Sequence, residues 1–508
     1  MKQSVPPVFL VGAGPGNPGL LTLRAVECLA QADLILYDQL VPVRLLEHAA
    51  ASAERICVAT LGSYSERWPR IHQTMIDAAR RGKRVVRLKG GDPFLFGRGA
   101  EEAAALHAAG IPFEVVPGVT AGIGASAFAG LPLTHRSCAS AVAFVTGHED
   151  PTKESNSLDW TALARFPGTL VFYMAMARLG RITAMLLAQG KSADTPAAVI
   201  HRATTPEQRT LIAPLGELAE AVRTSGPTSP AVIVVGPVVG LREQLQWFEQ
   251  RPLFGKRVLV TRPRAQAAGL VRRLEELGVR AVVLPAVEIR EPPDWSPVDA
   301  VLSRLDSYQW VVFTSANGVH SFLGRLVRTG RDLRALGSMR LAVIGPSTAD
   351  ALRSYHLEPD LMPAEYCSES LAAALKERAA GQRVLLARAD RGRNLLREEL
   401  ARSAHVDQVA VYSQVDATEA ASDVLTQLRE GAIDYVTLTS SNIAHSLLRA
   451  LDAATLDQIK ARRIQIVTIS PVTSLSVREL GVPVAAEATT YTTDGLVEAL
   501  VDLANRGK

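Results

Sequence analysis

The chain has 508 residues, 47% of them hydrophobic, which is more than one core accommodates, so two to four α/β domains are expected. A net charge of +4 and only 5% aromatic residues argue against nucleic acid as a partner and favour small acidic ligands. Four scattered cysteines indicate neither a disulfide framework nor a metal site, and no apolar run reaches the roughly 18 residues that span a bilayer, so no membrane partner and a cytoplasmic location are expected.

The first predicted element is a strand that ends in a glycine turn and leads into a helix. The turn reads Gly12-Ala13-Gly14-Pro15-Gly16, and Asn17 stands where the dinucleotide fingerprint G-x-G-x-x-G requires its third glycine. A nicotinamide-dependent enzyme is therefore a weak alternative. The glycines still predict a tight turn whose backbone comes close to a ligand.

The most informative segment lies between Arg87 and Gly99, where an apolar strand ends in Gly90-Gly91-Asp92-Pro93. Flexible backbone beside an acid and a fixed turn predicts the floor of a ligand site. Further motifs follow in order: VPGVTA at 116–121, PLTHR at 132–136, VTGH at 145–148 and TTPEQR at 204–209. Over residues 5–245 this order closely resembles the uroporphyrinogen-III C-methyltransferases. The resemblance implies a tetrapyrrole methylase fold of two α/β subdomains with an active-site cleft, and a homodimer formed through this half.

The same resemblance implies a site for S-adenosylmethionine, the methyl donor, with no metal. It places the donor against Pro15, Gly90, Gly91, Asp92, Leu95, Thr120, Ala121, Met174, Ala203 and Ala231. Methyl transfer from a sulfonium depends mainly on placement, for which small residues are suited. Asp92 is also explained as a turn cap and Met174 as a core residue.

Proton removal from the methylated pyrrole needs a base, and Asp38 matches the acid with that role in the family. Asp38 is also explained as a turn residue after a strand. Three positions depart from the family pattern: Thr60 replaces a lysine, and Ala175 and Ala203 replace glycines. We therefore expect donor binding to persist while turnover is slow or altered, because packed sites respond to single methyl groups.

Residues 246–255 form the predicted linker, and the half after it contains an internal repeat. The run WVVFTSANGVHSFL at 310–323 reappears as YVTLTSSNIAHSLL at 435–448, an offset of 125 residues, and two other segments repeat at 125 and 126. Solenoid repeats are about 20 to 50 residues long, so this offset predicts two copies of one α/β domain. Each copy places Thr-Ser-x-Asn at a predicted helix start, where Ser315 and Ser440 are equally explained as caps or as ligand contacts.

With VTRP at 260–263 and YTTDGL at 491–496, this half resembles uroporphyrinogen-III synthase. The resemblance implies a bilobal fold over 256–508, with lobe 1 at about 256–290 plus 413–508 and lobe 2 at about 291–412. It implies that hydroxymethylbilane is closed into uroporphyrinogen III, which the first half methylates to precorrin-2, toward sirohaem or cobalamin. Tyr412 is the candidate to assist hydroxyl departure, although ring packing explains it equally. The candidate substrate contacts are Arg262, Ser315, Asn317, Ser440, Ser441, Asn442 and Thr493.

Two alternative functions stay open for the whole chain. In the first, the chain is a uroporphyrinogen-III synthase that carries a slow or non-catalytic domain for binding the methyl donor. In the second, the duplicated half is a two-lobed regulatory protein that binds a tetrapyrrole and catalyses no reaction.

Overall fold

The computed structural model describes residues 5–147, 158–337, 339–417 and 422–506; His148 of the VTGH motif lies outside them. The chain divides into two compact units, one up to Gly255 and one from Lys256 onward. Within the described residues each unit contains two five-stranded sheets. No helix in these ranges is long and apolar enough to cross a bilayer.

The first sheet of the first unit is entirely parallel, with strand order β3-β2-β4-β1-β5. Its strands are β1 (Val8–Gly12), β2 (Leu34–Tyr37), β3 (Glu54–Cys57), β4 (Val85–Lys89) and β5 (Phe113–Val116), and the helices along it are α1 (Leu23–Gln31), α2 (Tyr64–Arg80) and α3 (Gly99–Ala108). Alternate residues of the central strands pack into hydrophobic clusters on both faces, as a covered parallel sheet requires. The loops at the carboxyl ends of these strands therefore meet at one edge.

The second sheet has strand order β6-β7-β10-β8-β9, in which only β6 and β7 are parallel neighbours. Its strands are β6 (Val142–Thr146), β7 (Thr169–Tyr173), β8 (Pro196–His201), β9 (Arg209–Pro214) and β10 (Ala231–Val235). The helices are α4 (Ala121–Ala129), α5 (Trp160–Arg165), α6 (Leu179–Ala188), α7 (Leu218–Ser225) and α8 (Arg242–Leu245). Helix α4 follows β5 directly and packs on this second sheet, so it connects the two halves of the unit.

The segment 246–255, predicted as a linker, packs on the first unit. Phe248 and Leu253 are buried, and the Trp247 indole N–H donates to the Ala127 carbonyl at 3.0 Å. Arg242 is buried and pairs with Glu249 at 2.8 Å. These contacts place the segment with the unit that ends at Gly255.

The second unit also has two α/β sheets. The first has the parallel order β12-β11-β18-β19-β20, with β11 (Arg257–Val260), β12 (Arg280–Val283), β18 (Tyr435–Leu438), β19 (Gln465–Thr468) and β20 (Ala486–Glu487). Its helices are α9 (Arg264–Glu276), α15 (Ser422–Arg429), α16 (Ser441–Ala450), α17 (Ala453–Lys460), α18 (Pro471–Glu479) and α19 (Thr493–Arg506). We call this sheet and its helices lobe 1.

Lobe 2 has the order β13-β17-β16-β14-β15, with β13 (Val287–Arg290), β14 (Trp310–Phe313), β15 (Arg340–Val343), β16 (Arg383–Ala389) and β17 (His405–Asp416). Its helices are α10 (Ser296–Ser303), α11 (Ala316–Arg328), α12 (Pro346–Arg353), α13 (Ser368–Lys376) and α14 (Leu395–Ala401). Strand β13 is antiparallel to β17, and the other neighbours are parallel. The two units also contain short 3-10 helices, at Pro18–Leu20, Val43–His48, Val58–Thr60, Met176–Arg178, Pro237–Leu241, Leu305–Ser307 and Leu333–Leu336.

The sequence repeat is also a structural repeat, because the order β12-β11-β18-β19 matches β17-β16-β14-β15. It extends to the fifth position: Val467 pairs with Ala486 in lobe 1, and an isolated bridge joins Ala342 to Leu361 in lobe 2, each residue 125 positions earlier. The prediction of two copies of one α/β domain is confirmed.

Candidate active sites

Three loops of the first unit interlock at the carboxyl edge of its parallel sheet. The N–H of Ala13 donates to the Lys89 carbonyl at 2.7 Å, and Gly14 and Gly91 exchange backbone hydrogen bonds of 3.2 and 2.8 Å. A Cβ on Gly12 would lie 2.6 Å from Gly118 Cα and 2.7 Å from the Gly91 oxygen, so the three backbones touch. The close approach predicted for the first glycine turn is made to neighbouring backbone.

Asp92 joins two of these loops. Its Oδ1 accepts from the Phe94 N–H at 2.8 Å, and its Oδ2 accepts from the Gly118 N–H at 3.0 Å. Gly90 behaves differently, since it is exposed and a Cβ on it would have no heavy atom within 4 Å. The loop is therefore held by Asp92 and left open at Gly90.

Asp38 stands beside that open position, at the end of β2. Its Oδ2 accepts from the Gly90 N–H at 3.2 Å, and its Oδ1 pairs with Arg87 Nη2. Arg87 is fully buried and also donates from Nε to Glu102 at 2.9 Å, while Lys89 Nζ lies 3.0 Å from the same Glu102 carboxylate. The side chain of Asp38 remains 30% exposed, so a fixed carboxylate faces the open edge of the sheet.

Burial and charge act on this cluster in opposite directions. Burial disfavours the charge on Arg87, but Asp38 and Glu102 outweigh burial and raise the pKa of Arg87. For Lys89, burial and the neighbouring Arg87 lower the pKa more than Glu102 raises it. A buried strand residue that is always charged needs partners of this kind, since an unpaired buried charge is costly.

The start of helix α4 is fixed by a buried tyrosine. The Tyr173 hydroxyl lies 2.8 Å from Thr120 Oγ1 and accepts from the Gly122 N–H at 2.7 Å. Burial raises the pKa of Tyr173, so the phenol stays protonated. Thr120 and Ala121 are thereby held at the helix end that approaches the Gly91 loop, where a Cβ on Gly91 would be 3.5 Å from the Ala121 nitrogen.

The turn after β8 packs on the first glycine turn. Thr204 Oγ1 accepts from the Asn17 N–H at 3.0 Å, and a Cβ on Gly124 of α4 would lie 2.5 Å from Pro15 Cγ and 3.4 Å from Thr204 Cγ2. Pro15, α4 and the turn that contains Ala203 are therefore brought together.

The remaining predicted donor contacts have different surroundings. Met174 has a positive φ of 52° and is 53% exposed, which is unusual for a bulky apolar side chain. Leu95 and Ala203 pack beside the core on the α4 face of the second sheet, whereas Ala231 packs with the cluster on the opposite face. The donor roles of these residues stay predictions.

Besides Ala203, the other two departures from the family pattern are Thr60 and Ala175. The Thr60 hydroxyl donates to the Cys57 carbonyl at 2.8 Å, so its proton is used within its own turn. The Ala175 methyl is completely buried in the core of the second sheet, 2.6 Å from where a Cβ on Gly147 would lie. The Ala175 methyl is therefore part of the core and does not project into an open site.

In the second unit, Tyr412 lies at the start of helix α11. Its hydroxyl is 3.0 Å from Ser315 Oγ, which also caps the helix by accepting from the Gly318 N–H at 3.0 Å. Asn317 accepts at Oδ1 from Gln266 Nε2 of lobe 1 at 2.7 Å. Burial raises the pKa of Tyr412 more than the side chains of Ser315 and Asn317 lower it, so the phenol is a proton donor.

The other predicted substrate contacts lie in lobe 1. Ser440 caps α16 by accepting from the Ile443 N–H at 3.3 Å, Ser441 Oγ donates to the Val472 carbonyl at 3.4 Å, and Asn442 Nδ2 donates to Gln414 Oε1 at 2.7 Å. Arg262 donates to Thr493 Oγ1 at 3.1 Å, and burial lowers its pKa. Ser315 and Ser440 both cap helices, and their role as ligand contacts stays a prediction.

Sequence reasoning missed the residues that hold the predicted ones, namely Glu102, Tyr173, Gln266 and Gln414. One signal was available: charged Arg87 and Lys89 alternate in an otherwise apolar strand and face an acid in the next helix. No signal marked the two glutamines. No group of three or more His, Cys, Asp and Glu that could hold a metal ion occurs in the described ranges.

Two family models match the chain. Residues 7–219 match the tetrapyrrole (corrin/porphyrin) methylases, and residues 268–498 match uroporphyrinogen-III synthase HemD. The porphyrin biosynthesis protein HemD of Ruminiclostridium josui is 34% identical over 460 residues, which cover 89% of this chain and 90% of that protein. An S-adenosyl-L-methionine-dependent uroporphyrinogen III methyltransferase of Methanosarcina barkeri is 48% identical over 47% of this chain and 94% of its own length.

The chain spans about half the length of other relatives. Siroheme synthase 1 of Yersinia pseudotuberculosis is 50% identical over 246 residues, which cover 48% of this chain and 51% of that protein. A solved uroporphyrin-III C-methyltransferase from Thermus thermophilus, complexed with S-adenyl homocysteine, is 41% identical with a TM-score of 0.39, covering 46% of this chain and 93% of its own. The chain therefore belongs to the family of fused porphyrin-biosynthesis proteins in which a tetrapyrrole methylase domain precedes a uroporphyrinogen-III synthase domain.

Proposed function

We propose that this chain catalyses two consecutive steps of tetrapyrrole synthesis. The second unit closes hydroxymethylbilane into uroporphyrinogen III, and the first unit methylates that product to precorrin-2 with S-adenosylmethionine, toward sirohaem or cobalamin. The order of the two domains supports this, as does the likeness of nearly the whole chain to one porphyrin biosynthesis protein. The location is proposed to be the cytoplasm, and the assembly a homodimer through the first unit.

The residues around Gly90 fit the methyl donor, which supplies an electrophilic methyl group when bound. The observation that carries this is the open space at Gly90, beside the start of α4 and the Asp38 carboxylate. Interlocked loops are rigid, and rigid placement of donor and acceptor lowers a barrier by up to about 7–11 kcal/mol. We assign donor binding to Pro15, Gly90, Gly91, Asp92, Leu95, Thr120, Ala121, Met174, Ala203 and Ala231.

Asp38 is assigned the role of general base in the first unit. Arg87 and the Gly90 N–H each hold one of its oxygens, so the carboxylate has one orientation and still reaches the exposed edge. A base fixed in this way accepts the proton that the macrocycle loses from another position after a pyrrole carbon has gained the methyl group. The Thr60 hydroxyl donates inside its own turn, so we assign no proton donor to that position.

Tyr412 is assigned the role of assisting hydroxyl departure in the second unit. Its phenol is protonated, buried, and oriented by its hydrogen bond with Ser315. A hydrogen bond from this phenol to the leaving hydroxyl favours loss of that group. Arg262, Ser440, Ser441, Asn442 and Thr493 are assigned to the acidic substituents and pyrrole nitrogens of the substrate, and Ser315 and Asn317 also contact it.

The test uses the purified full chain with hydroxymethylbilane, with and without S-adenosylmethionine. Cyclised product without the donor and methylated product with it are expected. Asp38→Asn is expected to lower the rate of methylation about a hundredfold or more. Cyclisation should persist in this variant, as should binding of S-adenosylmethionine measured by calorimetry. If the wild-type chain forms cyclised product but no methylated product, only the synthase activity is supported. If it converts no hydroxymethylbilane, the result favours a regulatory protein that binds a tetrapyrrole without catalysing a reaction.

A further inference from the structure

A second feature of the internal repeat concerns an arginine in each lobe. The run GKRVLVTR ends at Arg262 after β11, and the run GQRVLLAR ends at Arg388 in β16, an offset of 126 residues. Strands β11 and β16 hold the same position in their sheets. The two arginines therefore occupy equivalent places at the carboxyl ends of equivalent strands.

Arg388 is buried without a carboxylate partner. It is 8% exposed, its Nη1 donates to the Arg393 carbonyl at 2.8 Å, and no acid in the described ranges forms an ion pair with it. Arg87 and Arg242, which are as deeply buried, pair with Asp38, Glu102 and Glu249. A buried guanidinium without a carboxylate partner destabilises the folded state, so its presence here points to an anion that comes from outside the protein.

The nearby acids do not serve this purpose. Glu369 binds Arg393 at 2.7 Å, and Asp390 Oδ1 accepts from the Gln414 N–H at 3.0 Å. Burial also lowers the pKa of Arg388, as it does that of Arg262.

A helix start accompanies each arginine. In lobe 1, Arg262 donates to Thr493, the first residue of α19, in the run YTTDGL. The equivalent run in lobe 2 is YCSESL at 366–371, 125 residues earlier, and it begins α13 at Ser368. Arg388 and this helix start meet at one residue, because Arg393 accepts from Arg388 through its carbonyl and binds Glu369 of α13 through its side chain.

We infer that Arg388 is the lobe 2 counterpart of Arg262 and that each lobe binds a carboxylate of the substrate through its own arginine. The inference rests on the proposed synthase function and adds a residue and a second anion site to it. The ligand class is a polycarboxylate with acid groups at both ends, which matches a linear tetrapyrrole. Arginine suits such a site because its planar fork binds a carboxylate through two hydrogen bonds.

The test compares Arg388→Gln with Arg402→Gln, an exposed arginine of the same lobe that pairs with Glu399. The full chain converts hydroxymethylbilane without S-adenosylmethionine, and KM and kcat are measured over a range of salt concentrations. Arg388→Gln and Arg262→Gln are each expected to raise KM about tenfold, and the double variant about a hundredfold, because separate charge-assisted contacts add. The salt dependence of kcat/KM falls in both single variants.

Thermal unfolding distinguishes a binding role from a structural one. Removal of an unpaired buried charge is expected to leave Tm unchanged or raised in Arg388→Gln, whereas loss of a structural contact would lower it. Arg388→Lys is expected to recover part of the affinity through its charge. A KM for Arg388→Gln equal to that of Arg402→Gln, or a lowered Tm with KM intact, overturns the inference. A wild-type chain that fails to cyclise hydroxymethylbilane refutes the proposed function itself, and the inference with it.

Discussion

Replacement of single glycines by alanine distinguishes, in the first unit, a glycine that borders the proposed ligand site from a glycine that packs against neighbouring backbone. A methyl group at Gly90 meets no protein atom within 4 Å, whereas one at Gly12 meets backbone atoms of Gly118 and Gly91 at 2.5 to 2.7 Å. Gly90→Ala should therefore change the free energy of unfolding by no more than about 0.5–1 kcal/mol, and in the stabilising direction. Gly12→Ala should destabilise by about 3 kcal/mol, the upper end for an overpacked site, because backbone cannot rotate away.

For a unit of this size that loss lowers Tm by about 6–12 °C. The methyl of Gly90→Ala occupies the space assigned to the methyl donor, and an overpacking cost of at least about 1.4 kcal/mol corresponds to tenfold weaker binding of S-adenosylmethionine. Calorimetric titration of the full chain measures this affinity. Gly180→Ala is the matched control, since Gly180 of α6 also has open space around its Cβ and no assigned contact. Unchanged affinity in Gly90→Ala would refute the placement of the donor.

Three further outcomes are expected. Tyr412→Phe removes the hydroxyl that contacts Ser315, so kcat for cyclisation, measured by product formation, should fall about tenfold or more. The free energy of unfolding, measured by thermal melts, should decrease by about 1 kcal/mol. Ala175→Gly removes a methyl buried in the core and should destabilise by about 1 kcal/mol without tighter donor binding in the same titration; a gain in affinity would contradict the position of that methyl. Burial lowers the pKa of His72 in the folded chain, so as the pH falls the unfolded chain binds the proton first, and the free energy of unfolding decreases below about pH 6.5. Urea unfolding between pH 7.5 and 5 should show this decrease of the free energy of unfolding, and His72→Phe should make the decrease smaller.

The sequence predicts much of the architecture because its signals are periodic or local. The repeat at an offset of 125 predicts two equivalent domains, and the glycine turn after Val11 predicts a strand, a turn and a helix. Both depend on neighbours along the chain. The fifth position of lobe 2 escapes such reasoning, since Leu361 forms a single bridge in place of a strand.

The candidate site was predicted as a set of residues but not as a set of contacts. Asp38 was found through its motif, whereas no residue near it in the sequence indicates its contacts with Arg87 and Gly90, which lie 49 and 52 residues away along the chain. The packing of segment 246–255 was also missed, because its proline, glycine and charged residues look like a linker until Phe248 is seen in the core. Long-range packing decides both cases, and residue patterns report it only indirectly.

The route of the chain through the second unit sets an order for its folding. Strand β11 hydrogen-bonds with β18, in the register Val258 to Tyr435. In the sequence, all the strands of lobe 2, β13 to β17, lie between these two strands, so β11 is synthesised long before its partner. A chain that emerges from the ribosome therefore completes lobe 2 first and holds β11 with one unpaired edge for well over a hundred residues of synthesis. A stop codon between β17 and β18 would leave lobe 2 intact, while the sheet of lobe 1 would lack β18, β19 and β20.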